Sequence, residues 1–153
     1  MKKFVLAVAL VVMLSTLSLA AGTVQIFSTD FGKIQIDAPY TLTLNSDQSS
    51  GNSLALTKGE SMRHSFSIKI WNNTFGEDLE GFAASLIGNH QYEKTTADDG
   101  YTMLFYAYDR RCYMFIDHIT DKNAIVEIWG YPSDLDLSTD EFRSMCSSFA
   151  FAV

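Results

Sequence analysis

Cysteine occurs twice in this chain, proline twice and histidine three times, and each scarcity narrows what the protein can be. Two cysteines are too few for a small fold stapled by several disulfides, and their wide separation without a histidine pair gives no zinc site. The histidines, His64, His90 and His118, form neither an H-x-x-x-H nor an H-x-H pair. Asp117 beside His118 could orient an imidazole, but adjacent residues of a strand point to opposite faces. No G-x-S-x-G elbow, S-x-x-K pair or glycine-rich phosphate loop occurs. The sequence therefore assigns no catalytic residue, no cofactor and no metal. Positive charge is also scarce, with 11 Lys and Arg against 18 Asp and Glu and a net charge of −7. Such a chain is repelled by nucleic-acid phosphate and by anionic lipid head groups, which discounts both as partners.

A single long apolar run stands at the start. Lys2 and Lys3 precede Phe4 to Leu14, a stretch without a polar side chain, and Ser18-Leu19-Ala20 supplies small residues where a signal peptidase cuts. The expectation is a signal peptide over residues 1–20 and an exported domain over 21–153, periplasmic or extracellular. The competing reading is an uncleaved anchor, since about 20 apolar residues can cross a bilayer. Ser15, Thr16 and Ser18 argue against it, and no later segment is long and apolar enough to insert stably. Loss of Lys2 and Lys3 would take the net charge from −7 to −9. With 13% aromatic residues the remainder reads as one folded domain.

Cys112 and Cys146 would both lie in the exported part, and an even number in an oxidising compartment favours a disulfide. A bridge closing that loop contributes about 3–4 kcal/mol in the chain-entropy model. The alternative is two buried thiols acting as small hydrophobes.

Hydrophobic periodicity then orders the chain. Val24 and Ile26, Ile34 and Ile36, and Tyr40, Leu42 and Leu44 recur at period two, as half-buried strands do. Leu54 and Leu56 suggest a short strand, and Phe66, Ile68 and Ile70 a longer one with one wet face. Leu79, Phe82, Ala83, Leu86 and Ile87 form one stripe of an amphipathic helix, with Glu77, Asp78 and Glu80 near its positive end. Tyr101–Tyr108, Cys112–Ile119 and Ala124–Trp129 read as three strands of a meander. Asp98-Asp99-Gly100, Asp109-Arg110-Arg111 and Asp121-Lys122-Asn123 are the connecting turns. Strands apolar on both faces need cover on both faces. Pro132 interrupts the chain, and Ser138 with Glu141 forms a capping box before a last helix carrying Phe142, Met145, Cys146 and Phe149.

The order of these elements resembles the PsbP-like family. The matching residues are Ile34-Gln35-Ile36-Asp37-Ala38-Pro39, Leu79 to Ile87, and Phe142 to Phe149, with Tyr40 and Leu42 standing where that family keeps a tryptophan. The resemblance implies an α+β fold of α/β/α layers around a mostly antiparallel β-sheet, and a binding or accessory role.

Trp71, Trp129 and Tyr131 stand at expected strand ends or turns, where aromatic side chains line recognition surfaces or close the edge of a core. Asp134 to Asp140 has oxygen ligands at alternate positions, but Thr139 and Met145 occupy the places of the glycine and glutamate of a calcium loop, so helix capping is the simpler reading. Asn72-x-Thr74 is a glycosylation sequon in a chain whose leader looks bacterial. The expected protein is an exported, non-catalytic binding or accessory module whose partner is a protein or a small ligand. A small secreted hydrolase with a dispersed triad is the alternative, and a structural envelope component a third.

Overall fold

The computed structural model describes residues 22–118 and 122–153, so the leader, Ile119 and Asp121 lie outside the described residues. Among the described residues the fold is α+β: two antiparallel sheets, two α-helices and one turn of 3-10 helix at Pro132–Leu135. Strands β1 (Thr23–Thr29) and β2 (Gly32–Ala38) join the C-terminal β10 (Ala150–Phe151) in the smaller sheet, in the order β1-β2-β10. The larger sheet runs β3-β4-β5-β9-β8-β7-β6. Its strands are β3 (Leu42–Leu44), β4 (Ser53–Lys58), β5 (Phe66–Asn72), β6 (Glu93–Thr96), β7 (Thr102–Tyr108), β8 (Arg111–His118) and β9 (Ala124–Gly130).

The central strands are apolar on alternate residues of both faces, and each face has its own cover. One face carries Phe66, Ile68, Met114, Ile116, Val126 and Ile128. It packs against Ile34 and Ile36 of the smaller sheet and against Phe142 and Met145 of helix α2 (Thr139–Ser147). The Ser148 hydroxyl, at the end of α2, accepts the Asp37 amide of β2 at 2.8 Å and so ties the helix to the small sheet. The other face carries Leu104, Tyr106, Phe115 and Ile125, covered by Leu79 and Ala83 of helix α1 (Leu79–Ile87). Helix α1 starts where the Asp78 carboxylate accepts the Gly81 amide at 2.6 Å, and it ends at Gly88, whose φ of 79° suits a residue without a Cβ. Helix α2 opens with the expected capping box of Ser138 and Glu141.

Two expectations are corrected here. In β1 the alternation is present but inverted: Val24 and Ile26 are 55% and 58% exposed, while Phe27 packs against the core. The large ring of Phe27 selects the inward face, and Gln25 beside it bonds Tyr40 O at 2.9 Å and the Leu42 amide at 2.6 Å. The disulfide between Cys112 and Cys146 is not formed: both are free thiols, buried in the same apolar cluster. Apolar packing suffices to hold a thiol, which behaves there as a small hydrophobe.

Candidate functional site

Helix α1 is nine residues long and covers only part of its sheet face. The rest of that face is built by cross-strand register. Ser67 of β5, Trp129 of β9 and Tyr113 of β8 are directly opposed in one row, and Lys69, Glu127 and Phe115 form the next. Tyr108 pairs with Arg111 at the start of β8. Side chains two apart in a strand share a face, so Arg111 and Tyr113 stand beside Trp129, and Tyr131, just after β9, joins them through its ring contact with Trp129 and its bond from Arg111.

Arg111 is the centre of this group. Its Nη1 donates to the Tyr113 hydroxyl at 3.2 Å and its Nη2 to the Tyr131 hydroxyl. The guanidinium lies 5.4 Å from the Trp129 ring and 5.0 Å from the Tyr131 ring, within cation–π range. Tyr108 and Tyr113 stack at 5.9 Å, and His90 stacks on Tyr108 at 4.1 Å. The two tyrosine bonds raise the Arg111 pKa further, so it is always charged. His64 meets the edge of Trp129 at 5.5 Å and bonds Gln48 through Nδ1. Arg111, Tyr108, Trp129, Tyr131, His64 and Gln48 line an open cavity of about 820 Å³, with Arg63, Arg110, Asp109 and Asp134 at its walls.

A second cavity of about 420 Å³ adjoins it and shares Trp129, His64 and Arg111. Its floor holds Glu127, a carboxylate only 8% exposed. Trp71 Nε1 donates to Glu127 Oε2 at 2.8 Å, and Lys69 Nζ sits 3.6 Å from the centre of the Trp71 ring. Burial raises the Glu127 pKa, and the Trp71 bond and the Lys69 charge oppose that rise.

The structure thus brings Trp129 and Tyr131 together, their rings 6.3 Å apart, and sets Trp71 on the same face beside the second cavity. Trp71 and Trp129 are the penultimate residues of β5 and β9, and Tyr131 follows the end of β9. Arg111, which the sequence places in a turn with Asp109 and Arg110, opens β8. Its sequence signal was Tyr108 and Tyr113 on either side, and that of Glu127 was an acid inside the apolar run Ala124–Trp129. His118 lies elsewhere, buried beside Tyr101, Phe149 and Phe151, while Asp117 projects toward the opposite sheet face. Burial raises the pKa of both thiols, most strongly for Cys146, which keeps them protonated and unsuited to nucleophilic attack.

Among the described residues no group of three or more His, Cys, Asp or Glu is placed to hold a metal ion, and no helix is long and apolar enough to cross a membrane. No family model, no curated protein and no solved structure matches the chain.

Proposed function

We propose that the chain is an exported, non-catalytic binding or accessory module of the cell envelope or extracellular space. Its contact surface is the part of the larger sheet that α1 leaves uncovered. The observation that carries this reading is the grouping of Trp129, Tyr131, Tyr108 and Arg111 around one open cavity. Rigid aromatic side chains lose little conformational entropy on binding and offer large apolar area with a polar tip, which suits recognition. Strands hold Tyr108, Arg111 and Trp129, and Tyr131 directly follows β9, so the surface is formed before a partner arrives. The apolar leader from Phe4 to Leu14 supports export. A helix against each face of the larger sheet fits the α/β/α layers that the PsbP-like resemblance implies, and accessory members of that family act by binding.

Fractionation combined with affinity capture tests both parts. The tagged chain should leave the cytoplasm and retain a specific envelope component or ligand. A Trp129→Ala, Tyr131→Ala double variant should lose that component, whereas Phe75→Ala, at a 91% exposed side chain that lines neither cavity, should keep it. A cytoplasmic chain would overturn the export reading. Capture unaffected by the double variant would overturn the assignment of the surface.

A further inference from the structure

We infer that the cavity around Arg111 takes an organic carboxylate carried on a ring, with the Arg111 guanidinium holding the carboxylate and the Trp129 and Tyr131 rings flanking the body. This deepens the proposed function and rests on the cavity being the contact surface.

The guanidinium is oriented but not neutralised. Its bonds go to two neutral phenol oxygens, and none of the ion pairs among the described residues includes it. Each terminal nitrogen keeps a second N–H beyond the one given to tyrosine, and Nε keeps its own. A guanidinium fixed in this way presents parallel donors that match the two oxygens of a carboxylate. The Tyr131 oxygen, which lines the cavity, accepts from Arg111, so the Tyr131 proton is left to donate. A hydroxyl donor and a cation therefore converge on one side of the cavity.

The surroundings select further. In a chain of net charge −7, Arg63 and Arg110 line the same cavity, which makes it a local attraction for an anion. Asp109 and Asp134 stand there too and disfavour a multiply charged group such as phosphate. The guanidinium lies over the indole at 5.4 Å and the phenol ring at 5.0 Å, so the body of a ligand whose carboxylate reaches it comes within reach of both rings. A flat aromatic acid and a sugar acid both suit that placement.

The test is titration of the full chain with benzoate, glucuronate, glucose and inorganic phosphate, followed by the indole N–H resonance of Trp129. At least one of the two ring carboxylates should saturate, and glucose, the neutral counterpart of glucuronate, should not. Preference for benzoate identifies an aromatic acid as the source, and preference for glucuronate an acidic sugar. Arg111→Gln should weaken the carboxylate by about tenfold or more. Arg111→Lys, which keeps charge but not the fork, should lose a similar factor, so the test survives if one variant fails to fold. Saturation by neither carboxylate, tighter binding of phosphate, or an unchanged affinity in both variants would overturn the inference. If glucose and glucuronate bind alike and Trp129→Ala abolishes both, the surface is right and the charge selection is wrong. If no probe moves Trp129 and the double variant leaves envelope capture intact, the underlying reading fails as well.

Discussion

Trp71 Nε1 donates to Glu127 Oε2 at 2.8 Å across the pair of strands β5 and β9, beneath the open face of the sheet. The indole thus fixes a buried carboxylate that water would otherwise solvate.

That carboxylate makes stability depend on pH in a defined direction. Burial raises the Glu127 pKa in the folded state, so the folded chain holds this proton more tightly than the unfolded one. Its contribution is greatest below the ordinary carboxylate range and is lost as pH rises through the raised value. Glu127→Gln, whose amide oxygen can still accept from Trp71, should flatten this fall and raise the melting temperature at neutral pH. Melting curves of both proteins across the acid range check it; a variant less stable than the parent at neutral pH would contradict the assignment.

Cys112 and Cys146 should count as two thiols when the unreduced protein is unfolded, and should react slowly while it is folded, since both are buried. A count of zero would show a bridge. Cys146→Ser places a hydroxyl in a fully buried site and should cost about 1–3 kcal/mol in denaturant unfolding.

Gly130 has no room for a methyl group. A Cβ there would come within 2.5 Å of Phe66 Cβ and 2.8 Å of the Ser65 carbonyl oxygen. Gly130→Ala should therefore destabilise by about 1–3 kcal/mol through overpacking. It should also disturb the adjacent Trp129 and Tyr131, which near-ultraviolet circular dichroism would register. Unchanged stability would mean that β5 and β9 separate more easily than their register implies.

Export predicts a mature chain beginning at Ala21, since Ser18 and Ala20 place small side chains at the cleavage site. Intact mass of the exported protein measures this directly, and retention of Met1 to Ala20 would refute it.

The elements that announce themselves in the sequence are those whose period is unambiguous. Leu79, Phe82 and Ala83 define α1, Ser138 and Glu141 define the start of α2, and Phe66, Ile68 and Ile70 define β5. Strand β6 has no such signal because all four residues of Glu93–Thr96 are exposed, and β10 is only two residues long. For β1, alternation marks two faces without saying which one turns inward. The candidate site is legible only in its aromatics. Trp129 and Tyr131 stand out by residue type, whereas Arg111 and Glu127 gain significance from long-range pairing: Arg111 meets Tyr131 and Glu127 meets Trp71 only once β5, β8 and β9 lie side by side.

The larger sheet ends in β3 on one side and β6 on the other, strands of three and four residues. On β6, Lys94 is held by Glu80 at 2.5 Å and Glu93 by Arg143 at 3.0 Å. A foreign strand extending the sheet there would find a short template bearing charges already engaged with both helices. The ladder is thus guarded against extension at β6, and the broad aromatic face of the sheet can stand open without that border recruiting copies of the chain.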